Sequence, residues 1–387
     1  MLPAQRAPGG FPVVGIIGGG QLARMCQPPA VGLAVTLSVL AESQDASAAL
    51  VVPHSPVGAH DDLEAVREFA RGCDVVTFDH EHVPAHVLSA LLADGVRLHP
   101  HPDALRYAQD KLAMRERLTA MGIPCPRWAP VADEAELRAF GDEVGWPVIL
   151  KTPRGGYDGK GVRVIADPAE AADWFGHQET LLAEERVDFT RELAVLVARS
   201  PSGQACAWPV VQTVQTDGIC TEVLAPAPEL DDDLATAMID AGLRIAGELG
   251  VTGVMAVELF AVGDTPGFVV NELAMRPHNS GHWTIDGAVT SQFEQHLRAV
   301  LDLPLGDPSP RTRWSVMGNV LGGDDEELYS TYRHLFARDP GLKMHLYGKG
   351  VRPGRKIGHV TVCGDDLPQL RERAEHAADF LRGVVRE

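Results

Sequence analysis

The stretch KTPRGGYDGKGV, residues 151–162, carries the strongest single indication of fold and chemistry in the chain. An apolar segment ends as a predicted strand at Lys151, and a loop with four glycines in seven residues then leads into a second strand. Glycines let backbone N–H groups approach an anion closely, and Lys151 and Lys160 can reach phosphate oxygens as point charges. No helix is predicted after the loop and no Gly-Lys-Ser/Thr sequence occurs in it, which excludes a Walker loop. A flexible hairpin is the alternative, and Tyr157 and Asp158 argue against it because a plain linker does not need them.

Two glutamates lie on neighbouring apolar strands further along the chain. Glu258 is predicted on the strand VMAVELF, and Glu272, with Asn271 beside it, on the strand FVVNELA. A charge among such apolar residues is costly unless it is paired or bound to a metal. Two carboxylates opposite a phosphate-binding loop make a seat for Mg²⁺, which prefers one or two carboxylates together with nucleotide phosphates. An ion pair of these glutamates with Arg276 is the alternative interpretation.

A polar loop follows the Glu272 strand directly. Its sequence, MRPHNSGHWT, contains five side chains that can bind an anion or stabilise an oxyanion, namely Arg276, His278, Asn279, Ser280 and His282. A zinc site is disfavoured, because His278 and His282 lack helical spacing and the loop supplies no third ligand. The alternative is a polar loop that surrounds a buried Trp283.

The net charge of the chain is −19, from 34 basic and 53 acidic side chains. Such acidity is not typical of proteins that bind nucleic acids or membrane surfaces, since neutralising phosphates requires a basic face. One basic cluster nevertheless occurs in KGVRPGRKIGH, and it contains Lys349, Arg352, Arg355, Lys356 and His359 without an acidic residue. A solvated turn explains one or two of these side chains, whereas a cluster of this size in an acidic chain indicates a phosphate receptor.

The N-terminal region begins with GIIGGGQLAR, residues 15–24, in which Gly18, Gly20 and Ala23 match the dinucleotide fingerprint of a strand–turn–helix unit. Predicted strands and helices alternate up to residue 100, which indicates a doubly wound parallel sheet. The acidic Glu42, 24 residues after Gly18, is compatible with an NAD site. The same turn can instead hold the phosphate of a ribonucleotide at the helix N-terminus.

The prolines of this region and the polar residues that follow one of its strands support further predictions. Pro28 and Pro29 should end or kink the first helix within two turns. The sequence FDHEHVP ends a parallel strand, where such sheets bind ligands, so Asp79 and Glu81 are candidates to hold hydroxyls or an amine. A fourth strand is predicted to end in RLHP, and a single helix to span residues 105–121.

The 387-residue chain is long enough for two or three domains, each with a sizeable core. Its six cysteines are scattered without Cys-x-x-Cys spacing, which indicates a reducing cytosol and argues against disulfides and structural zinc. No signal peptide opens the chain, and no apolar run approaches the roughly 18 residues of a membrane span. We therefore expect a cytoplasmic protein without a membrane or nucleic-acid partner, with a loose leader over residues 1–12.

In their order along the chain, the segments GGGQLARM, DHEHVP, GGYDGKG, the two glutamates, MRPHNSGHWT and RPGRKIGH resemble the N5-carboxyaminoimidazole ribonucleotide synthetases, ATP-grasp enzymes of bacterial and fungal purine synthesis. HNSGHWT followed by SQFEQHLRAVLDLPLG is the most specific part. The resemblance covers nearly all of the chain after the leader and implies an α/β fold of ATP-grasp architecture. Its expected parts are an N-terminal doubly wound parallel sheet (residues 13–108), a central α+β ATP-grasp domain (109–307) with a lid at about 125–190, and a small β-rich C-terminal domain (308–387).

The resemblance implies that ATP, bicarbonate and 5-aminoimidazole ribonucleotide react through carboxyphosphate to ADP, phosphate and the N5-carbamate. ATP with Mg²⁺ or Mn²⁺ is then required, and the enzyme would be a homodimer, as is usual in the family. Bicarbonate is a poor electrophile, so it must first be phosphorylated, and catalysis is mostly positioning and charge neutralisation. The activated species must meet the amine before water does, which requires a closing lid, for which the glycine-rich loop is the candidate.

Site residues follow from the same resemblance. The implied ATP site comprises Lys111, Lys151, Gly156, Tyr157, Asp158, Gly159, Lys160, Gly161, Val162, Glu184, Glu185, Arg186, Val187, Glu192, Gln215, Asn271 and Glu272. The implied aminoimidazole ribonucleotide site comprises Gly20, Gln21, Leu22, Glu81, Tyr157, Asp158, Asn279, Ser280, Lys349, Arg355 and Lys356. The implied metal ligands are Glu258 and Glu272, and the implied catalytic residues are Asp158, Lys160, Arg276, His278 and Lys349. In this assignment Glu184 and Val187 meet the adenine and Glu192 the ribose. Arg276 and residues 278–280 hold bicarbonate.

Other functions stay open at the level of the sequence. A sister ATP-grasp ligase that formylates glycinamide ribonucleotide is one alternative, but it lacks the HNSGHW signature. An NAD-dependent dehydrogenase or a non-catalytic nucleotide sensor fits the N-terminal fingerprint, yet nothing downstream supplies a hydride site. Because the downstream motifs favour phosphoryl transfer, we interpret residues 18–21 as the grip on a 5′-phosphate and not as an NAD site.

Overall fold

The structure, a computed structural model, describes residues 5–155, 161–176, 180–263 and 267–385. The described residues form three sheets, one parallel and two antiparallel. The centre of the glycine-rich loop lies outside the described residues, together with the predicted roles of Gly156, Tyr157, Asp158, Gly159 and Lys160.

The first sheet is parallel and has the strand order β2-β1-β3. Its strands are β1 (Val13–Ile17), β2 (Thr36–Leu40) and β3 (Val75–Phe78), and its helices are α1 (Gln21–Gly32), α2 (Leu63–Ala70) and α3 (Ala85–Ala93). Alternate residues of β1 enter different cores, since Ile16 packs in the cluster that contains α1 and Ile17 in the cluster that contains α2 and α3. The predicted doubly wound sheet is therefore confirmed. The predicted fourth strand is wrong: it is reduced to an isolated bridge between Val76 and Leu98, because Pro100 has no N–H to continue the ladder.

Of the two predicted effects of Pro28 and Pro29, an end of the helix at these residues is wrong, because α1 continues through both to Gly32. The predicted kink stays a prediction. A proline inside a helix removes a hydrogen bond of the ladder and costs about 3 kcal/mol. The opposing contribution is tertiary, because Met25 and Ala30 are buried on the face of α1 that packs against the sheet. The carbonyl of Pro29 accepts a hydrogen bond from the Leu33 N–H at 3.0 Å and closes the last turn.

The single helix predicted over residues 105–121 is two helices, α4 (Pro102–Gln109) and α5 (Lys111–Ala120). Asp110 between them has an extended backbone (φ −132°, ψ 107°), and its carboxylate caps the N-terminus of α5. The Lys111 N–H donates to the carbonyl of Pro153 at 2.9 Å. The break therefore ties the start of α5 to the glycine-rich loop.

The second sheet is antiparallel, with the order β4-β7-β5-β6. Its strands are β4 (Trp128–Val131), β5 (Val148–Lys151), β6 (Val162–Ile165) and β7 (Leu181–Glu185), and its helices are α6 (Glu134–Val144) and α7 (Ala172–Phe175). Leu137 of α6 packs with Val148 and Leu150 of β5 in one core. As predicted, β5 and β6 flank the glycine-rich loop, and they place Lys151 opposite Val162.

The third sheet is antiparallel and has the order β13-β12-β8-β10-β11-β14-β16-β15, with β9 paired to β8. Its strands are β8 (Phe189–Arg199), β9 (Ala205–Ala207), β10 (Val211–Thr216), β11 (Ile219–Ala225), β12 (Gly253–Val262), β13 (Phe268–Ala274), β14 (Trp314–Leu321), β15 (Lys343–Leu346) and β16 (Lys356–Gly364). The helices of this part are α8 (Asp232–Glu248), α9 (Thr284–Gly287), α10 (Gln292–Val300), α11 (Tyr332–Arg338) and α12 (Leu367–Arg382). The C-terminal strands thus extend the sheet of the central segment through the pairing of β11 with β14.

Two expectations about the whole chain can be compared with these elements. All six cysteines are free thiols, in agreement with their scattered spacing. Among the helices of the described ranges, none combines the length and the apolar character that a bilayer crossing needs.

Candidate active site

A cavity of about 680 Å³ lies between the second and third sheets. Its wall contains the predicted ATP-site residues Lys111, Lys151, Val162, Glu184, Glu185, Arg186, Val187, Glu192, Gln215, Asn271 and Glu272. Gly161, directly before Val162, accepts a hydrogen bond from the Thr152 N–H at 3.0 Å. The fold therefore brings together the described residues of the predicted ATP site.

Two lysines contribute their ammonium groups to this cavity. Lys151, at the end of β5, has its Nζ 2.7 Å from Glu184 Oε2 and 3.2 Å from Asn271 Oδ1. Lys111, the first residue of α5, has its Nζ 3.2 Å from Glu272 Oε1. Both positive charges are fixed by partners on the wall, in positions where they can meet the phosphate oxygens of a nucleotide.

The carboxylate of Glu184 is enclosed by two cations. Arg115 Nε lies 2.5 Å from Oε1, and Lys151 Nζ lies 2.7 Å from Oε2. Burial disfavours the ionised form, but the charges of Lys151 and Arg115 outweigh burial and lower the pKa of Glu184. Each oxygen of Glu184 thus has one cationic partner, and the predicted contact of Glu184 with the adenine stays a prediction.

Glu258 and Glu272 face each other directly across the β12–β13 pair, so both carboxylates project from the same face of the sheet. His278 Nε2 lies 3.1 Å from Glu258 Oε1. On the neighbouring strand, Glu272 Oε1 lies 3.2 Å from Lys111 Nζ. Burial favours the neutral form of Glu258, yet the hydrogen bond from His278 and the nearby cations lower its pKa. Two carboxyl groups on one face of the sheet, both in the wall of the first cavity, fit the oxygen-donor chemistry of Mg²⁺.

Within the part of the chain that the structure describes, no group of three or more His, Cys, Asp or Glu residues forms a metal cage. The glutamate pair thus matches a cation that takes its other ligands from phosphates and water. The alternative ion pair of these glutamates with Arg276 is wrong, because the Arg276 guanidinium pairs with Glu81 at 2.7 Å.

Both oxygens of the Glu81 carboxylate contact other residues of the protein. Its Oε2 pairs with Arg276 Nε, and its Oε1 accepts a hydrogen bond from the Met275 N–H at 3.1 Å. Burial opposes ionisation, while the Arg276 charge lowers the pKa of Glu81. The end of β3 therefore packs against the loop after β13, where Glu81 orients Arg276 and lines a cavity. The predicted role of Glu81 as a substrate ligand stays a prediction.

The loop after β13 is held by Gln292, the first residue of α10. The Gln292 amide donates to the His278 carbonyl and accepts from the His278 N–H, both at 2.8 Å. The same amide lies 3.0 Å from His282 Nδ1, and burial lowers the pKa of His282 well below its usual value. His282 is thus a neutral core residue, whereas His278, Asn279 and Ser280 line the first cavity.

His278 is oriented through both of its ring nitrogens. Nδ1 accepts a hydrogen bond from the Ser280 N–H at 3.3 Å, so in the neutral ring the proton is on Nε2, which donates to Glu258. The buried Nδ2 of Asn279 has no acceptor among the described residues. Since Asn279 lines the cavity, this amide offers a donor to a bound ligand.

Glu192 and Gln215 line the cavity from β8 and β10. Burial and the neighbouring Glu258 raise the pKa of Glu192, and a hydrogen bond with Gln215 opposes this shift. A carboxyl group that can accept hydrogen bonds at this wall is compatible with the predicted ribose contact.

A second cavity of about 430 Å³ adjoins the first. Four residues line both cavities, namely Lys111, Glu258, Glu272 and His278. Arg276 lines the second cavity. A phosphate bound in the first cavity and an acceptor bound in the second would meet at this shared wall.

The glycine turn before α1 is held by two carboxylates at the end of the parallel sheet. Glu42 accepts from the Gly19 N–H at 3.2 Å, and Asp79 accepts from the Ala23 N–H at 2.7 Å. Gly20 is required here, because a Cβ at this position would lie 2.1 Å from Asp79 Oδ2. Asp79 therefore supports the helix, and its predicted contact with a hydroxyl or an amine stays a prediction.

Gln21 and Lys349, both predicted in the substrate site, contact each other through Gln21 Oε1 and Lys349 Nζ. The N–H groups of Gln21 and Leu22 belong to the first turn of α1, where the helix supplies no acceptor. The Leu22 side chain is buried in the core, so only its main chain can take part in the predicted contact.

The structure separates His359 from the rest of the predicted basic cluster. Lys349 contacts the first turn of α1, Lys356 lines the first cavity, and Arg355 is exposed. His359 is fully buried, with its Nδ1 2.8 Å from the Tyr347 hydroxyl. The reason is that β16 pairs with β14 on one side and β15 on the other, which encloses His359 in the sheet.

Comparison with known proteins matches three family models to successive parts of the chain. A ribonucleotide synthetase preATP-grasp domain matches residues 12–109, an ATP-grasp domain residues 116–293, and a phosphoribosylaminoimidazole carboxylase C-terminal domain residues 315–373. The N5-carboxyaminoimidazole ribonucleotide synthase of Mycobacterium tuberculosis is 55% identical over 377 residues, which cover 96% of this chain and 88% of the relative. The chain belongs to the N5-carboxyaminoimidazole ribonucleotide synthase family.

Solved structures of this synthase family agree with the assignment. The ADP complex of an N5-carboxyaminoimidazole ribonucleotide synthetase has a TM-score of 0.88 at 34% identity and covers 98% of both chains. The Aspergillus clavatus synthase in complex with ADP and 5-aminoimidazole ribonucleotide has a TM-score of 0.86 at 32% identity and covers 97% of this chain and 99% of its own. The predicted ATP-grasp architecture is confirmed.

Membership of the N5-carboxyaminoimidazole ribonucleotide synthase family makes this chain an ATP-dependent ligase of purine biosynthesis. The glycinamide ribonucleotide ligase and the NAD-dependent dehydrogenase are not favoured. The Glu42 carboxylate, which the dehydrogenase interpretation placed on a ribose, bonds to the glycine turn itself.

Two residues that hold this synthase site were missed by the sequence analysis, Arg115 and Gln292. Both lie on the buried faces of their helices, Arg115 beside Met114 and Leu118 of α5, and Gln292 on α10. A polar side chain at a core position of an amphipathic helix requires partners, and this pattern is the signal that would have found them.

Proposed function

We propose that this chain carboxylates the amine of 5-aminoimidazole ribonucleotide with bicarbonate and couples the reaction to conversion of ATP to ADP and phosphate. The observation that carries the proposal is the pair of adjoining cavities whose common wall contains Lys111, Glu258, Glu272 and His278. One cavity suits a nucleoside triphosphate and the other, which Arg276 lines, suits bicarbonate, so the phosphoryl group is transferred at the shared wall.

ATP occupies the first cavity in this proposal. Lys111 and Lys151 bind its phosphate oxygens, while residues 184–187, Glu192 and Gln215 contact the base and the ribose. Glu258 and Glu272 would hold Mg²⁺ or Mn²⁺, which when bound neutralises charge on the transferred phosphoryl group. The paired arrangement of the two carboxylates across β12 and β13 supports this role.

Bicarbonate binds at Arg276, whose guanidinium is fixed by Glu81, and at the segment 278–280. One bicarbonate oxygen attacks the γ-phosphorus, the bond from that phosphorus to the bridging oxygen breaks, and ADP leaves. The resulting carboxyphosphate is held by the Arg276 charge and by the Asn279 amide, whose Nδ2 is otherwise unpaired among the described residues.

The 5′-phosphate of aminoimidazole ribonucleotide binds at the N-terminus of α1. Main-chain N–H groups of residues 20–22, the side chain of Gln21 and the ammonium of Lys349 are its partners, with Arg355 and Lys356 nearby. The amine attacks the carboxyl carbon, a C–N bond forms, the C–O bond to phosphate breaks, and the amine proton leaves with phosphate. Tyr157, Asp158 and Lys160 of the glycine-rich loop complete the site in this proposal.

We also infer the larger organisation. The proposed domains are residues 13–108, residues 109–307 with a lid at about 125–190, and residues 308–387. The limits of the matched family models at residues 109, 116 and 315 support these boundaries. A homodimer in the cytoplasm is the proposed state, in keeping with an enzyme of purine biosynthesis.

ADP release in the presence of ATP and Mg²⁺ tests the proposal. We expect release that depends on aminoimidazole ribonucleotide and bicarbonate together. Release that responds to glycinamide ribonucleotide and formate instead would identify the sister ligase. NADH binding at micromolar concentration without ATP turnover would identify a dehydrogenase or sensor.

A further inference from the structure

Arg115 is a buried cation that the proposed reaction does not use directly. Its side chain is fully buried on α5, and its three nitrogens all have acceptors. Nε pairs with Glu184 Oε1 at 2.5 Å. Nη1 donates to the Val270 carbonyl at 2.9 Å and Nη2 to the Asn271 carbonyl at 2.7 Å. One guanidinium thus links β7 of the second sheet to β13 of the third.

The two residues that orient Lys151 are the same two that Arg115 holds. Glu184 Oε2 lies 2.7 Å from Lys151 Nζ, and Asn271 Oδ1 accepts from Lys151 Nζ at 3.2 Å. A lysine ammonium has three N–H donors, so these contacts take two and leave one for a ligand in the cavity. The direction of that remaining donor depends on where Glu184 and Asn271 are placed.

The charges of this group also favour an anionic ligand. Arg115 and Lys151 are positive and Glu184 is negative, so the buried triad has a net charge of +1 beside the nucleotide cavity. A buried ion pair is weak evidence for stability, because the cost of desolvating the charges offsets their attraction. A role in placing Lys151 accounts for a buried arginine at this point of the site.

We propose that Arg115 is a positioning residue for phosphoryl transfer, which sets the ammonium of Lys151 against the ATP phosphates through Glu184 and Asn271. This inference rests on the proposed role of Lys151 in binding ATP. Arg115 also fixes the main chain beside Glu272, so it couples the lysine to the proposed metal ligands.

Replacement of Arg115 tests the proposal. Arg115→Met should raise the KM for ATP or lower kcat by about tenfold or more, while the KM for aminoimidazole ribonucleotide changes less than about twofold. Arg115→Lys should recover part of the loss, because it restores the charge without the fork. Arg117→Met is the matched control: Arg117 lies on the same helix and pairs with Glu248 at 3.4 Å on the surface. Equal losses for both substrates, or loss in the control, would overturn the inference.

A double-mutant cycle with Glu184→Gln shows whether Arg115 acts through Glu184. We expect the Arg115→Met, Glu184→Gln double variant to lose no more ATP affinity than the single variant that is affected more strongly. Additive losses would contradict the proposed linkage. If Arg115→Met does not fold, as judged by its thermal unfolding, Arg115→Lys with Glu184→Gln carries the same cycle. A wild-type enzyme that binds no ATP would instead contradict the proposed function itself.

Discussion

At the scale of single residues, the ionised side chains of the site are arranged in matched pairs. The pairs are Glu258–His278, Glu272–Lys111, Glu184–Lys151 and Glu81–Arg276. In the buried pairs of Glu184 and Glu81 the neighbouring cations outweigh burial and lower the pKa of the carboxyl group. The protein thereby holds its charges in place before any ligand arrives, which is the condition for electrostatic catalysis.

Glu272→Gln should abolish turnover. The substitution keeps the shape of the side chain but removes one of two carboxylates proposed to hold the metal, and we expect kcat to fall by more than about 100-fold. ADP release at saturating Mg²⁺ measures the effect. Glu248→Gln, a change at a half-exposed surface carboxylate, serves as control. Wild-type turnover in Glu272→Gln would contradict the metal role.

Lys349→Ala should weaken the use of aminoimidazole ribonucleotide much more than that of ATP. Lys349 contacts Gln21 at the N-terminus of α1, so its charge is placed for the sugar phosphate. Loss of a charged hydrogen bond predicts a rise of about tenfold or more in the KM for that substrate and less than about twofold for ATP. Lys343→Ala on the exposed end of β15 is the control. If both KM values rise equally, the assignment of Lys349 fails.

At the scale of elements, the loop between β13 and α9 is fixed by packing as well as by hydrogen bonds. Gln292 clamps the main chain of His278 on both its N–H and its carbonyl. Gly281 is closely surrounded: a Cβ there would lie 2.2 Å from Leu196 Cδ2 and 2.5 Å from Gln292 Oε1. The positions of the proposed catalytic side chains of this loop therefore depend on the absence of a side chain at Gly281.

Gly281→Ala should displace the loop and lower both activity and stability. Overpacking of a filled core costs about 1–3 kcal/mol, and movement of His278 should lower kcat with little change in the KM for ATP. Gly247→Ala is the matched control, because a Cβ at Gly247 on α8 would meet nothing within 4 Å. Urea unfolding and steady-state kinetics on both variants are the measurements. An unperturbed Gly281→Ala enzyme would show that the loop is not held as described.

At the scale of the whole molecule, the first and third sheets are joined by a buried histidine. His296 of α10 lies with its Nε2 2.9 Å from Thr77 Oγ1 of β3, and its Nδ1 accepts from the Val254 N–H of β12 at 3.1 Å. Burial, with a smaller effect of the charge of His99, lowers the pKa of His296 to about 3. The junction between the two sheets therefore requires a neutral imidazole.

This requirement predicts that stability declines as the pH falls below about 6.5. Above that pH His296 is neutral in both states, and below it the unfolded chain takes up a proton that the folded chain refuses. The decline continues down to the folded pKa of about 3. Each pH unit in this window costs about 1.4 kcal/mol for this histidine.

Urea unfolding at pH 7.5 and at pH 5.5 measures the decline. The wild type should lose about 1.4 kcal/mol more between these values than His296→Gln does, because the variant has no imidazole to protonate. His86→Gln, at an exposed position, should retain the wild-type difference. If His296→Gln also keeps the wild-type difference in unfolding free energy between the two pH values, His296 is not the titrating group.

Much of the fold was predictable because its signals are local. Apolar runs and turn residues predicted the alternation of strands and helices before residue 100, and they placed β12 and β13 within two residues of their observed ends. The proline pair in α1 and the break at Asp110 were not predictable in the same way. In both cases contacts with other parts of the chain determine the local structure. The buried face of α1 packs in a core, and the Lys111 N–H donates to the carbonyl of Pro153.

The sequence by itself determined which chemical groups the site contains and on which strands and loops they lie, since residue type, glycine content and strand alternation act over a few neighbouring positions. Only the tertiary structure decided their partners. Glu184 meets Arg115 across 69 positions of chain, Arg276 meets Glu81 across 195, and Lys349 meets Gln21 across 328. Such pairings depend on how sheets and helices pack, and a short-range pattern contains no information on that packing.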